Sequence, residues 1–227
     1  LILPLAVWLP AILLLAGCAT WRTPPASAVF NNLPPGCDPK IVGEKVAQNF
    51  LQRKIYRNSE GFIVYPEVCT AYGALRFADV TGDKLLEQKL IERYAFILTP
   101  AGSHSVSTNR HVDFHMFGAL PLEIYLLNGD QRDRDFGLHM ADDQWLNPRP
   151  DGLAAETRWW VDDCYMIGIL QIQAYRATHD PKYADHVANE LAAYLDKLQQ
   201  PDGLFFHADA SHHFWGRGNG WFAVALA

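Results

Sequence analysis

An all-α fold, a ring of helical hairpins, is predicted by three observations. Apolar residues recur with a helical period from residue 38 onward. The chain is interrupted three times in the same way: DVTGDKLLEQ around Asp83, LLNGDQRDRD around Asp130 and RATHDPKYAD around Asp180. These aspartates lie 47 and 50 residues apart. No stretch alternates convincingly with the period of two that a strand requires.

Each break separates an apolar helix from a more polar one. The apolar members are expected over 64–80, 109–127 and 159–177, the polar ones over 84–98, 131–140 and 181–199. An Asp at each break suits the start of the second helix, because its carboxylate accepts the free amides of the first turn. The asymmetry predicts an inner ring of buried helices wrapped by an outer ring. Hairpins of this kind cannot bury their faces alone, so they stack or close. A further unit opens at Phe214 and runs as an apolar helix to Ala227 with no cap. The expected architecture is an α/α toroid, a six-hairpin barrel, of which 38–227 covers about the first four hairpins.

Bulk properties agree with a large core. Of 227 residues, 49% are hydrophobic and 19% charged, which excludes a disordered chain. The net charge is -6 and no basic run occurs, so no nucleic-acid partner is expected. Aromatics reach 12%, with seven Trp, which suits a sugar-stacking cleft as well as an aromatic core.

Residues 1–17 (LILPLAVWLPAILLLAG) are almost wholly apolar, and Cys18 follows. This reads as a lipoprotein signal over 1–18, with cleavage before Cys18 and a lipid on its thiol. Two prolines and a short length disfavour a membrane-spanning helix. No initiating Met or basic region precedes the run, so a few residues are expected upstream. Residues 19–37, rich in Pro, Ser and Thr, read as a tether. The expected partner is a membrane, through the lipid on Cys18, and the expected place is periplasmic or cell-surface in a bacterial envelope. Cys37, Cys69 and Cys164 remain, an odd number with no CxxC, which indicates neither a disulfide framework nor a zinc knuckle. Cys69 and Cys164 are expected as small buried hydrophobes.

Three clusters carry candidate chemistry. In Arg110-His111-Val112-Asp113-Phe114-His115, the i,i+4 histidines have a zinc-compatible spacing, but no Glu follows His111 and no third ligand is evident, so no metal is expected. Asp113 suits either a helix start or a site carboxylate. In Arg158-Trp159-Trp160-Val161-Asp162-Asp163-Cys164, two adjacent acids open an apolar helix. One suits a cap, the other a carboxyl beside Trp whose neutral form is favoured, as a general acid needs. The third cluster joins Gly203-Leu204-Phe205-Phe206-His207 to Phe214-Trp215-Gly216-Arg217-Gly218-Asn219-Gly220-Trp221. There, glycines permit close backbone approach, Arg217 offers a carboxylate-matching fork and Trp221 a stacking face.

Taken in order on repeats of this size, VDFHMFG, WWVDDCYM, GLFFH and WGRGNGW resemble the unsaturated rhamnogalacturonyl hydrolases of glycoside hydrolase family 105. They also resemble the related unsaturated glucuronyl hydrolases of family 88. The resemblance runs from about residue 40 to the end and implies a six-hairpin α/α barrel. It implies Asp162, two residues after Trp160, as acid/base, with Asp163 as the competing choice, and Asp113 as the second important acid. It implies substrate contacts by His207, Arg217 and Trp221, and His111, Trp160 and Asp163 are added from the same clusters. The Gly218-Asn219-Gly220 stretch leans toward family 105. No cofactor is implied. The implied substrate is an unsaturated uronate-containing oligosaccharide of pectin or rhamnogalacturonan type. The implied reaction is hydration of its C4–C5 double bond rather than attack at the anomeric carbon. Alternatives are a glucuronyl hydrolase acting on glycosaminoglycan-type fragments, a non-catalytic sugar-binding lipoprotein and a helical-repeat scaffold.

Overall fold

A computed structural model describes residues 33–227. The signal, Cys18 and most of the tether lie outside the described residues. Pro39–Ala227 forms a compact unit of its own. It runs α1 (Pro39–Gln52), α2 (Tyr65–Thr81), α3 (Lys84–Tyr94, prolonged by a 3-10 turn over Ala95–Leu98) and α4 (Pro100–Ser103). Next come α5 (Val112–His115), a 3-10 turn (Met116–Gly118), α6 (Ala119–Asn128) and α7 (Gln131–Gln144). The chain ends with α8 (Asp163–Thr178), α9 (Pro181–Leu198), β1 (Phe206–Ala208), β2 (Ser211–Phe214) and α10 (Gly216–Leu226).

The expected layering is present. Helices α2, α6, α8 and α10 form an inner wall, each packed on the next, while α3, α7 and α9 each lie outside the inner helix they follow. The breaks that defined the repeat share one geometry. The first helix ends on a left-handed residue, Gly82 (φ 71°), Gly129 (φ 75°) or His179 (φ 58°). The next residue then caps the second helix. Asp83, Asp130 and Asp180 accept from the amides of Leu86, Arg132 and Lys182 at 3.0, 2.9 and 3.0 Å. His179 adopts a conformation that glycine takes without a Cβ clash.

The inner wall is apolar where its helices meet, with Leu75, Phe117, Leu120, Ile167 and Leu170 fully buried. A buried carboxylate lies within it. Glu123 on α6 is completely buried and accepts from Arg76 of α2 (3.3 Å) and from Gln173 and Arg176 of α8 (2.6 and 2.7 Å). A single carboxylate thus ties three inner helices.

Two expectations need correction. The inner helices expected from 109 and 159 start at Val112 and Asp163, and the first is interrupted over Met116–Gly118. A small antiparallel hairpin, β1 with β2, stands where no strand was expected. The causes are tertiary. Trp160 forms a bridge with Ala208, and the Val161 amide donates to the His207 carbonyl at 2.9 Å. The backbone of 159–161 is therefore taken by the hairpin and is lost to α8.

Candidate active site

The loop entering α8 is held by one carboxylate. Asp163 is wholly buried. Its Oδ1 accepts from Arg158 Nε (2.9 Å) and Nη2 (2.6 Å). Its Oδ2 accepts from the amides of Arg158 (2.8 Å) and Trp160 (3.3 Å) and from the Tyr194 hydroxyl (2.7 Å). The intervening Trp159 amide donates to the Tyr194 oxygen at 3.1 Å. Three successive amides thus converge on Asp163 and Tyr194. They hold Trp159 at φ 62°, a left-handed conformation that a bulky side chain rarely adopts.

Its neighbour is the opposite case. Asp162 begins α8 without making a side-chain cap. Its Oδ1 is buried and has no hydrogen-bond partner, and its Oδ2 faces Arg158 Nη2 at 3.6 Å. Burial, then the charge of Asp163 and more weakly that of Asp113, raise its pKa above the ordinary carboxylate value, against the pull of Arg158. A carboxyl that favours its neutral form, with one oxygen free, is suited to delivering a proton. Asp163 is expected among the substrate contacts, but its donors come from the protein itself. Both its oxygens are filled and none of the side chain is exposed.

Helix α5 packs against α8 beside this entrance. His111 is its N-cap, with extended backbone (φ -151°), and its Nδ1 accepts from the Asp113 amide at 3.2 Å. His111 Nε2 lies 3.1 Å from Arg158 Nη1, which ties α5 to the α8 entrance. Asp113 in the first turn is partly exposed, and its charge acts on both Arg158 and Asp162. His115 faces away, buried between Asp143 (3.3 Å from Nε2) and Glu156. The two histidines do not share a helical face, because the helix starts after His111. Among the described residues no group of three or more His, Cys, Asp or Glu side chains is placed to hold a metal.

The third cluster is an arc of rings and cations. Arg158 lies over Trp160 (5.1 Å), Trp160 meets His207 edge-on (4.9 Å), His207 meets Trp215 (5.0 Å), and Arg217 lies over Trp215 (4.4 Å). Trp160 is 44% exposed. Arg217 is exposed, and no carboxylate pairs with it among the described residues. Trp221 sits deeper, stacked on Tyr165 at 4.6 Å. Asn219 accepts from the Phe205 amide (2.8 Å) and donates to the carbonyls of Phe205 (3.0 Å) and Trp215 (3.1 Å). Gly218 beside it serves packing too: a Cβ there would fall 2.5 Å from both Trp215 and Val161.

The family model of Glycosyl Hydrolase Family 88 matches residues 42–227. The chain belongs to this family. It is the second of the two related families that the motifs resemble. The family 88 chain is 26% identical over 189 residues to an unsaturated 3S-rhamnoglycuronyl hydrolase of Alteromonas sp. (strain LOR), covering 68% of the chain but 43% of that relative. Among solved structures it resembles a family 88 glycosyl hydrolase from Bacteroides vulgatus (TM-score 0.62, 16% identity). That match covers 82% of the chain and 60% of the neighbour. It also resembles a polysaccharide lyase (TM-score 0.57, 15% identity), with 82% and 59% covered. These two likenesses establish the α/α toroid. The chain spans less than half the length of the curated relative.

Of the residues gathered at the α8 entrance, Arg158 and Tyr194 carry no local signal in the sequence. Arg158 lies in the second sequence cluster, where nothing beside it marks a role. Tyr194 lies 31 residues beyond Asp163 on α9, and nothing local marks it.

Proposed function

We propose that this family 88 chain is the part of a glycosidase that releases an unsaturated uronic acid from the non-reducing end of lyase-generated oligosaccharides. The observation that carries the reading is the contrast at the α8 entrance. Asp163 is saturated with donors, while Asp162 has a buried, unpartnered oxygen and a raised pKa. In the proposed reaction the Asp162 carboxyl protonates C4 of the C4–C5 double bond, and the positive charge at C5 is shared with the ring oxygen. Water adds at C5 and gives its proton to the Asp162 carboxylate. The resulting hemiketal opens and the glycosidic bond breaks. Asp113 assists across the cleft. The cationic end of the ring arc, Arg217 with His207, suits the uronate carboxylate, and Trp160 offers the sugar an exposed face.

The favoured substrate is a pectin or rhamnogalacturonan fragment; the name of the Alteromonas relative, an unsaturated 3S-rhamnoglycuronyl hydrolase, supports an unsaturated uronyl sugar and leaves its identity to experiment. In the stretch that leaned toward family 105, Gly218-Asn219-Gly220, the Asn219 amide is spent on backbone. Turnover of galacturonyl against glucuronyl disaccharides decides between the two sugars. The test of the acid is Asp162→Asn in the full-length protein. The absorbance of the double bond should fall with wild type and change at least about 10²-fold more slowly with the variant. Wild-type turnover by a folded variant rules Asp162 out. Lipid anchoring through Cys18 at the periplasmic or outer cell surface belongs to the same proposal, supported by the sequence of residues 1–18. A Cys18→Ala protein should move from the membrane fraction to the soluble one.

A further inference from the structure

We propose that Asp163 and Arg158 are positioning residues for the acid. Asp163 occupies the Arg158 fork so that the guanidinium braces Asp162 without forming a full ion pair with it, and Arg158 carries the brace across the cleft to His111. This rests on the reading of Asp162 as proton donor.

The geometry supports a division of labour among the guanidinium nitrogens. Nε and Nη2 are given to Asp163 at 2.9 and 2.6 Å, and Nη1 faces His111 Nε2 at 3.1 Å. Asp162 meets only the Nη2 already committed to Asp163, at 3.6 Å, outside hydrogen-bond range. Arg158 itself cannot swing away, because its flat face lies over Trp160 and its own amide is tied to Asp163. Without Asp163, the same fork faces the unpartnered carboxyl of Asp162, and a bidentate pair would favour the ionised, proton-free form. Tyr194 on α9 keeps Asp163 aimed by donating at 2.7 Å. The other charged or titratable groups around Asp162 are Asp113 and His111 from α5, His207 from β1, and Arg217 reached through Trp215.

Two substitutions should move the pH–rate profile in opposite directions. Asp163→Asn removes the screening charge and frees the fork. The alkaline limb of kcat, where the acid loses its proton, should shift by about one pH unit toward acid. At neutral pH kcat should fall about tenfold or more, with KM changed less than about threefold. Arg158→Gln should shift the same limb toward alkali. The double variant, which removes both charges together, should return the limb to near wild type and guards against either single variant failing to fold. Arg158→Lys keeps the charge and loses the fork, so it should lose kcat while KM holds. Folded variants with a wild-type limb and wild-type kcat overturn the proposal. So do single variants whose limbs move in the same direction. If only the double variant and Arg158→Lys fold, wild-type kcat in Arg158→Lys overturns it. Failure here is distinct from failure of the reading beneath it. An active Asp162→Asn enzyme removes the acid itself, whereas an inactive one beside an unmoved Asp163→Asn profile removes only the brace.

Discussion

At the scale of single residues, the site is built by contrast between neighbours. Asp162 and Asp163 share a helix start and nearly identical local sequence. One receives five donors and the other leaves an oxygen bare. A buried carboxyl with few donors, as at Asp162, is pushed toward its neutral form. The same logic singles out Arg217, an exposed guanidinium stacked on Trp215 with no carboxylate partner among the described residues. If it receives the uronate, Arg217→Lys should raise KM about tenfold with a smaller change in kcat, because an ammonium offers neither the planar fork nor the stacked face. Steady-state kinetics on an unsaturated disaccharide checks this, and an unchanged KM would remove Arg217 from the substrate site.

At the scale of elements, the outer helix α9 governs the loop that presents the acids. Tyr194 reaches Asp163, and Glu190 accepts from the Ala154 amide (3.2 Å) and the Thr157 hydroxyl (2.5 Å) just upstream. Burial pushes the Glu190 pKa up to about 7 from the ordinary glutamate value of 4.5. The folded chain therefore holds this proton where the unfolded chain has released it. The associated stability is fully present below about pH 4.5 and is lost as pH rises through about 7. Glu190→Gln should flatten the fall in Tm between about pH 5 and 8, the Gln amide donating to Thr157 with the hydroxyl turned to accept. Asp133, raised to about 6 first by burial and then by Asp130, leaves a residual slope of the same sign. Thermal melts at several pH values measure this, and parallel curves for variant and wild type would show that Glu190 does not titrate there.

At the scale of the molecule, the inner wall holds the candidate acid at one end and a charged tie toward the other. Asp162 starts α8 and Arg176 lies near its other end, about 20 Å away at the rise of a helix. Arg176 meets Glu123, which also holds Arg76 of α2. Removing one partner of a buried charge network is costly, although both arginines are over a third exposed and can regain water. Glu123→Ala should cost about 3 kcal/mol of unfolding free energy. Urea denaturation measures this, and a loss under about 0.5 kcal/mol would show the tie to be incidental.

Much of this architecture was legible in the chain. Asp83, Asp130 and Asp180 are capping residues at near-regular spacing, and a cap is a local device whose donor lies two or three residues away. The alternation of apolar and polar helices gave the inner and outer layers for the same reason, since a helix face is set by neighbours three and four residues apart. The motifs from Asp113 to Trp221 marked the clusters from which the candidate site is built. Tertiary structure decided where the inner helices begin, because β1 takes the backbone of 159–161. It turned His115 from a potential partner of His111 into a buried neighbour of Glu156. It also separated the two aspartates. Sequence alone placed both at the head of one helix. Only partners brought in from elsewhere, the Arg158 side chain folded back and Tyr194 from α9, filled Asp163 and left Asp162 free, and contacts over that distance have no periodicity to read.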